Sequence, residues 1–263
     1  MTYNFVTLFD KNYLYKGLAL HQSMRRRIQF FRLWILCLDD LTFEILSKIE
    51  LPGVKLIKML DFEDSKLKKI RSTRTLQEYY WTLSSSLTLY VLNKYHDLDH
   101  IGYIDADLFF YSDVKPIFEE WGDDSILIIP HDFPPYFQFK EKEVGRFIVS
   151  MVLFKNDATA KACLNWWRKK TIGWCYYKAE DGRLGDQVYL EEWPSRFKGV
   201  HILKHKGGML APWNVMYYPL AQKGKTILVK SEPLVFYHFH GFRLLARDGY
   251  EYTFGYELST ARS

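Results

Sequence analysis

The chain has 263 residues, of which 48% are hydrophobic and 25% charged, proportions ordinary for a soluble globular protein of one large or two small domains. The net charge of +5 fits an anionic ligand or an acidic membrane surface, and does not by itself indicate nucleic-acid binding. Aromatic residues make up 17% of the chain, so some rings are expected on the surface, where they suit sugar stacking or a membrane interface.

The cysteines and the apolar segments indicate in which cellular compartment the protein is expected. Cys37, Cys163 and Cys175 are odd in number and form no CxxC, so a disulfide scaffold or thiolate zinc site is not expected and a reducing compartment fits best. The N-terminus lacks the pattern of a signal peptide, and the most apolar window, residues 28–38, is too short to span a bilayer. We expect a cytoplasmic protein, with peripheral contact to the inner membrane left open.

Strand and helix patterns alternate along the first part of the chain. Residues 3–9 predict a strand, residues 13–24 a helix, residues 31–38 a strand, the segment up to 49 a helix and residues 54–59 a third strand. This order predicts a βαβαβ unit with a parallel sheet, in which ligands bind beyond the carboxyl ends of the strands. Polar side chains follow three predicted strands at that edge, namely Asp10, Asp39 and the pair Asp105 and Asp107.

Two predicted helices precede the central strand. Residues 61–71 are charged, and residues 75–95 predict a long helix that is buried over much of its surface. Arg74 stands next to the start of the long helix, where the helix dipole disfavours a cation, so an anion should lie nearby. A nucleotide phosphate and a surface carboxylate both remain candidates for that anion.

The sequence IGYIDADLFF, residues 101–110, is an apolar run interrupted by Asp105 and Asp107. In an extended strand these two side chains project to one side and Ala106 to the other. Two carboxylates aimed at one point repel each other unless a proton or cation lies between them, and oxygen ligands suit Mg²⁺ or Mn²⁺. The alternative is a solvated turn, but the large apolar neighbours favour a metal site.

The second half has a less regular pattern. Strands are predicted at residues 126–130, 147–154, 200–203, 226–229 and 234–237, with a helix at 158–174. Asp132 lies in a proline-stiffened loop after the first of these strands. Asp186 and Gln187 open a short helix, where Asp186 is either an N-cap or a group beside the sugar or acceptor. Without repeats or a Gly/Ser linker, we predict one domain, 1–263, with a nucleotide-binding half at 1–112 and an acceptor half at 113–263.

Two histidines close the last predicted strand. His238 and His240 stand two apart before Gly241 and share a face if the strand continues. They are either locally hydrogen-bonded residues or a metal ligand that completes the group begun by Asp105 and Asp107. Two carboxylates and one imidazole suit Mn²⁺ better than Mg²⁺, whereas zinc usually takes more nitrogen or sulfur ligands.

Several segments together resemble the GT-A fold nucleotide-sugar glycosyltransferases, in particular a bacterial polysaccharide-biosynthesis type related in layout to glycosyltransferase family 8. The segments are TLFDKNYLYKGLALHQS, TRTLQEYYWTLSSS, YIDADLFF, VLFKND, LGDQVYL, HKGGMLAPWNV and LVFYHFHGF, and they are distributed over nearly the whole chain. The resemblance implies an α/β fold with a Rossmann-like nucleotide-binding half, a mostly parallel sheet and a C-terminal acceptor half. It also implies a nucleotide-sugar donor, with UDP as the expected nucleotide, and a Mn²⁺ or Mg²⁺ cofactor.

The resemblance assigns roles to particular residues. The residues that the resemblance implies to contact the donor nucleotide or its diphosphate are Asp10, Asn12, Tyr13, Asp105, Ala106 and Asp107. Arg74 is added to them as a basic group that could stabilise charge on the departing diphosphate. The implied metal ligands are Asp105, Asp107 and His238, with His240 left open. Asp186 and Gln187 are implied to lie beside the transferred sugar. The segment at Arg146 to Ser150 lacks the Asn-Ser-Gly of family 8, and the family's C-terminal Lys-Pro-Trp is missing, with Arg243 the nearest cation.

The implied reaction is metal-assisted transfer of a sugar to a glycan or lipid-linked acceptor in bacterial surface polysaccharide synthesis. A family 8 layout implies retention of configuration and no strong general base, whereas an inverting reaction needs a carboxylate base, for which Asp132 and Asp186 are the candidates. The alternatives are a sugar nucleotidyltransferase, for which FDKNYLYKG is a poor phosphate loop, and a non-catalytic carbohydrate-binding protein. No nucleic-acid partner is expected.

Overall fold

The computed structural model describes residues 1–180, 182–246 and 249–251, so the end of the predicted acceptor half at 252–263 lies outside the described residues. The strands are β1 Tyr3–Phe9, β2 Phe31–Cys37, β3 Val54–Lys58, β4 His100–Ile104, β5 Leu108–Phe110, β6 Ile126–Pro130, β7 Phe147–Lys155, β8 Val200–Ile202, β9 Leu220–Lys223, β10 Thr226–Val229, β11 Glu232–Pro233, β12 Phe236–His238, β13 Arg243–Ala246 and β14 Gly249–Glu251. Seven of them form one sheet in the order β3-β2-β1-β4-β7-β6-β8.

The helices lie on the two faces of this sheet. The α-helices are α1 Leu14–Arg27, α2 Asp40–Ile49, α3 Met59–Phe62, α4 Ser65–Arg71, α5 Leu76–Lys94, α6 Lys115–Trp121, α7 Glu141–Val144, α8 Ala158–Gly173 and α9 Trp193–Arg196, and the 3₁₀ helices are Lys11–Tyr13, Pro135–Lys140, Val188–Glu192 and Lys206–Gly208. Helix α1 packs with Phe5 and Phe9 on one face, and helices α5 and α8 pack with Val6 on the other. This alternation along β1 is the period of two expected for a strand buried on both faces.

The α/β class and the mostly parallel sheet are confirmed. Strand β1 pairs in parallel with β2 and β4, and β2 with β3, so the predicted βαβαβ unit is present. Strand β7 is antiparallel to β4 and β6, which is where the regular alternation was expected to end. Strands from both predicted halves therefore belong to one sheet.

Two predicted elements are divided in the structure. The expected helix at 61–71 is two short helices, α3 and α4, because Asp64 accepts hydrogen bonds from the N–H groups of Lys66 and Leu67 and starts a new helix there. The expected strand at 101–110 is β4 and β5, separated by a turn at the two aspartates. In both places a polar side chain or a turn interrupts an apolar pattern.

The loops after β4 and β6 and the C-terminal end of α1 lie at opposite ends of the sheet strands. Strand β6 runs parallel to β4, since both are antiparallel to β7, so the loops after β4 and β6 leave the same edge. Helix α1 starts at that edge after β1 and ends before β2, so Arg25, Arg26 and Arg27 lie at the opposite edge. Within the described residues, no helix has both the length and the apolar character to cross a membrane.

Candidate metal centre and donor site

Asp105, Ala106 and Asp107 occupy a turn rather than an extended strand, which corrects the geometry expected from the sequence. The N–H of Leu108 donates to the carbonyl of Asp105 at 3.3 Å and closes the turn. The N–H of Asp105 donates to the carbonyl of Ser150 in β7 at 2.9 Å, which anchors the turn to the sheet. Ala106 is buried, and the side chains of the two aspartates remain partly exposed.

Strand β12 brings His238 to the two aspartates. It pairs antiparallel with β5, which sets His238 opposite Leu108, and the N–H of Phe239 donates to the carbonyl of Asp107 at 2.9 Å. His238 Nε2 lies 3.2 Å from Asp107 Oδ1 and 3.8 Å from Asp105 Oδ2. One ligand atom from each of the three residues lies within 4.8 Å of the others, and among the described residues this is the only such histidine, cysteine or carboxylate group. We call it the metal-capable group.

The electrostatics of the metal-capable group favour a cation. Burial, the charge of Asp107 and the charge of Asp186 together hold the pKa of Asp105 well above its usual range. Burial also raises the pKa of Asp107, but the charge and hydrogen bond of His238 and the charges of Lys16 and His240 outweigh this and lower it to about 2. A bound divalent ion would relieve the repulsion that raises the pKa of Asp105.

Lys16 is a site residue that the sequence reasoning did not identify. Its Nζ lies 3.5 Å from Asp107 Oδ2 and 4.0 Å from the centre of the Tyr13 ring, and only 5% of its side chain is exposed. Gly17 lets α1 approach β1, because a Cβ there would lie 2.3 Å from the Phe9 ring. Lys16 shares a buried helix face with Leu20, four residues later, and this spacing was the available signal.

The end of the first strand lies at the rim of the metal-capable group. Asp10 accepts hydrogen bonds from the N–H groups of Asn12 at 2.9 Å and Tyr13 at 3.3 Å, so its carboxylate caps the 3₁₀ helix. The Tyr13 ring lies 4.0 Å from Lys16 Nζ, which contacts Asp107, and burial with the negative charges of Asp107 and Asp105 raises the pKa of Tyr13 to about 12. Asn12 and Tyr13 are both exposed and therefore accessible to a ligand.

Asp186 joins the site from the second half of the chain. The hydroxyl of Ser84 donates to its Oδ2 at 2.8 Å, and burial raises its pKa to about 7. The N-cap interpretation was wrong, because the following 3₁₀ helix starts at Val188 with Gln187 as its N-cap and has no side-chain capping bond. Gln187 instead donates from its side-chain amide to the carbonyl of Val144 at 2.7 Å.

Arg74 and Asp132 have partners away from the two aspartates. The guanidinium of Arg74 donates to Thr82 and, at 2.7 Å, to the carbonyl of Ile172, so it links α5 to α8. Asp132 accepts hydrogen bonds from Lys206 Nζ at 2.9 Å and from the Tyr218 hydroxyl. Among the described residues, the hydrogen-bond partners of Arg74 and Asp132 do not include Asp105, Asp107 or His238.

Trp213 connects the loop of Asp132 to the histidines. Its Nε1–H donates to the carbonyl of His131 at 2.6 Å, and its ring lies 5.8 Å from the His238 ring and 5.7 Å from the His240 ring. His240 lies 5.5 Å from His238 between ring centres and is exposed. It is not part of the metal-capable group, which contains His238 alone of the two.

Two curated relatives match almost the whole chain. The uncharacterised protein YfnD of Bacillus subtilis is 32% identical over 259 residues, which are 98% of this chain and 83% of YfnD. The uncharacterised protein YfnF of the same organism is 32% identical over 253 residues, covering 94% of this chain and 84% of YfnF. No protein-family model matches the chain.

Solved structures of glycosyltransferases share the fold. Mouse xyloside xylosyltransferase 1 superposes with a TM-score of 0.55 at 14% identity, over 92% of this chain and 98% of that one. The galactosyltransferase LgtC, solved with donor and acceptor sugar analogues, superposes with a TM-score of 0.55 at 12% identity, over 90% of this chain and 87% of that one. The predicted GT-A fold is therefore confirmed.

Proposed function

Because the chain belongs to the same family as YfnD and YfnF of Bacillus subtilis and has the GT-A glycosyltransferase fold, we propose that it is a metal-dependent glycosyltransferase. The donor in this proposal is a nucleotide sugar, with UDP as the nucleotide. The observation that carries the proposal is the convergence of Asp105, Asp107 and His238, from a turn and a strand far apart in sequence, at the carboxyl edge of the sheet.

The donor set fits a divalent cation. Two carboxylates and one imidazole are the mixture that suits Mn²⁺ better than Mg²⁺, and three protein ligands leave positions for phosphate oxygens. The cation would neutralise charge on the diphosphate of the donor. His238 Nδ1 is buried and has no hydrogen-bond partner among the described groups, so the imidazole is positioned by its strand rather than by a second polar group.

Lys16 and the end of the first strand supply the remaining donor contacts in this proposal. The Lys16 ammonium, held between Asp107 and the Tyr13 ring, is placed to attract the departing diphosphate together with the cation. Tyr13 and Asn12 are exposed beside it and face the nucleotide. In this assignment Lys16, and not Arg74, is the basic residue that contacts the diphosphate. Arg74 has a structural role, because it is hydrogen-bonded to Thr82 and Ile172.

The acceptor side of the proposal involves Asp186 and Gln187. Asp186 is close enough to the metal-capable group to raise the pKa of Asp105, which suits a position beside the transferred sugar. The resemblance to family 8 supports retention of configuration, in which no strong base is required. An inverting role for Asp132 has less support, because Lys206 and Tyr218 already occupy its carboxylate. The proposed acceptor is a glycan or a lipid-linked glycan of bacterial surface polysaccharide synthesis.

Calorimetry with UDP tests the proposal. The wild-type protein should bind UDP in the presence of Mn²⁺ and far more weakly in its absence, and Asp107→Ala should abolish this difference. Equal binding with and without Mn²⁺ would contradict a metal-dependent transferase, and binding of glycans without metal would favour a carbohydrate-binding protein. A screen for slow donor hydrolysis then identifies the sugar without knowledge of the acceptor.

A further inference from the structure

Large apolar side chains are exposed on the loops that follow β6 and precede β10. They are Tyr136, Phe139, Met216, Tyr217 and Leu220. Together with Lys223, Lys225 and Lys230 we call them the lysine–aromatic surface. The rings of Tyr136 and Tyr217 lie 6.3 Å apart between centres, so the two loops form one continuous surface. Met216 is 77% exposed and belongs to none of the hydrophobic clusters of the described residues.

Three exposed lysines lie on or beside the hairpin that follows Met216 and Tyr217. Lys223, Lys225 and Lys230 are exposed on or beside the hairpin of β9 and β10, and no acidic residue occurs between positions 214 and 231. Lys230 Nζ lies 5.0 Å from the centre of the Tyr218 ring, so the hairpin is packed against the loop that carries Tyr217. This mixture of aromatic rings and lysines, in a segment of sequence without acidic residues, is complementary to an anionic lipid surface.

The lysine–aromatic surface lies beside the candidate site. Tyr218 donates its hydroxyl hydrogen to Asp132 in the loop after β6, at the same sheet edge as the metal-capable group. Trp213, in the segment just before Met216, contacts the ring of His238. A bilayer against this surface would therefore lie near the opening of the site.

A second basic segment lies at the other edge of the sheet. Arg25, Arg26 and Arg27 are exposed at the end of α1, next to the exposed Phe30. Docking through these arginines would turn the metal-capable group away from the membrane. Replacing these three arginines is a matched control for replacing Lys223, Lys225 and Lys230, because each variant loses three positive charges.

We propose that the lysine–aromatic surface docks the protein on an anionic bilayer with the candidate site directed towards the lipid. This inference rests on the proposed function, since it names the source of the acceptor as a lipid-linked glycan in that bilayer. The aromatic rings and Met216 enter the interfacial layer, and the three lysines lie over anionic headgroups. A soluble glycan acceptor would use the rings for stacking and would have no need of the lysines.

Vesicle co-sedimentation tests the inference. The probes are neutral phosphatidylcholine vesicles and vesicles that contain phosphatidylglycerol, and the wild type should bind the second kind selectively. The combined variant Lys223→Gln, Lys225→Gln, Lys230→Gln should lose about 100-fold in vesicle affinity, given the contribution of each lysine near a charged surface. Met216→Ser with Tyr217→Ser should also weaken binding, and Arg25→Gln, Arg26→Gln, Arg27→Gln should leave it within about threefold of wild type.

Three outcomes overturn the inference: equal binding to both kinds of vesicle, loss of binding in the arginine variant instead of the lysine variant, and loss of soluble-glycan binding with vesicle binding unchanged. Thermal unfolding of each variant establishes that it is folded. Mn²⁺-dependent UDP calorimetry on the same variants separates the two proposals, because the lysine variant should bind UDP as the wild type does. Failure of UDP binding in the wild type would instead count against the proposed function.

Discussion

Two carboxylate–histidine clusters in this protein have similar composition and different geometry. In the metal-capable group, Asp105 and Asp107 both face a single nitrogen of His238, at 3.8 Å and 3.2 Å. In the second cluster, the His201 ring lies between two carboxylates, with Nδ1 3.2 Å from Asp124 and Nε2 2.8 Å from Glu120. The first arrangement concentrates negative charge at one point, and the second distributes it on opposite sides of a ring.

The difference shows how the surroundings decide what such a cluster can bind. Glu120 also accepts the N–H groups of Lys204 at 2.7 Å and His205 at 2.9 Å, so its oxygens are occupied by donors. Burial raises the pKa of Glu120, but these hydrogen bonds and His201 outweigh it and lower the pKa. The pKa of Asp105 is raised instead. A carboxylate short of donors favours a cation, and one with several donors stabilises the fold.

Removing one carboxylate from each cluster should give the largest contrast. Asp107→Asn should lower the metal-dependent rate of donor hydrolysis by at least about 10³-fold, because a bound cation contributes several kcal/mol of charge stabilisation. Asp124→Asn removes a carboxylate at the same distance from a histidine and should leave the rate within about twofold of wild type. Rates measured over a series of Mn²⁺ concentrations check this, and equal losses in both variants would remove the distinction between the clusters.

His238 and His201 should also differ in their effect on Mn²⁺ affinity. His238→Asn should weaken Mn²⁺ binding by at least about 10- to 100-fold, since even groups that only support metal ligands have effects of that size. His201→Asn should leave Mn²⁺ affinity unchanged and lower the free energy of unfolding by about 1 kcal/mol, the value of a partly exposed hydrogen-bonded pair. Metal titration and urea unfolding on both variants measure these effects. A greater loss of metal affinity in His240→Asn than in His238→Asn would reassign the ligand.

The pH dependence of stability should have opposite signs at Asp186, whose charge acts on Asp105, and at Glu120 of the second cluster. Burial raises the pKa of Asp186 from 3.8 to about 7, so its contribution to stability is fully present below pH 3.8 and is lost as the pH rises through 7. Relative to Asp186→Asn, the wild type should lose up to about 1.4 kcal/mol per pH unit in that interval. The lowered pKa of Glu120 predicts the reverse, since its contribution is lost as the pH falls.

Urea unfolding between pH 2.5 and pH 8, with a chelator present, measures both slopes, because the Asp186 contribution changes between pH 3.8 and 7 and the Glu120 contribution changes below pH 4.5. The difference between wild type and Asp186→Asn isolates one group, and the difference between wild type and Glu120→Gln isolates the other. Parallel curves for wild type and Asp186→Asn would show that the Asp186 carboxylate titrates at its ordinary pKa.

The sequence was sufficient wherever a local pattern determines the structure. The alternating residues of β1 predicted its bounds, Tyr3–Phe9, and the helix predicted at 158–174 is α8, Ala158–Gly173. The acidic and histidine pairs were also recognised, because charged and polar residues at the ends of apolar runs are conspicuous. The structure brings Asp105, Asp107 and His238 together, while their proposed roles stay predictions.

The errors arose where distant contacts outweigh local preference. The turn at Asp105 depends on a hydrogen bond to Ser150, and the position of Asp186 depends on the hydroxyl of Ser84 more than 100 residues away. Arg74 was expected near an anion, and the charge of Arg74 does help to lower the pKa of the Glu78 carboxylate, but the hydrogen bonds to Thr82 and to the carbonyl of Ile172 that hold it between two helices were not expected. Lys16 was missed because a lysine in a helix is usually solvated, and only the fold shows that it lies on Asp107.

In the metal-capable group a lysine ammonium contacts the carboxylate of Asp107, whereas in the second cluster backbone N–H groups donate to Glu120. Replacing Lys16 should have the smallest effect of the changes considered, but it tests a single contact. Lys16→Met keeps the length of the side chain and removes a positive charge 3.5 Å from Asp107 Oδ2. Mn²⁺ alone should bind more tightly, because a competing cation is gone, whereas UDP in the presence of Mn²⁺ should bind about tenfold more weakly for lack of a diphosphate contact.

These opposite changes separate a contact with the donor from a purely structural ion pair. If Lys16 only orients Asp107, then Lys16→Met should weaken Mn²⁺ and UDP binding together. Lys16→Arg offers the matched control, since it restores the charge and should recover most of the UDP affinity. Calorimetric titrations of each variant with Mn²⁺ alone, and with UDP at saturating Mn²⁺, decide between the two roles. A parallel loss of both affinities would leave the diphosphate without its proposed protein cation.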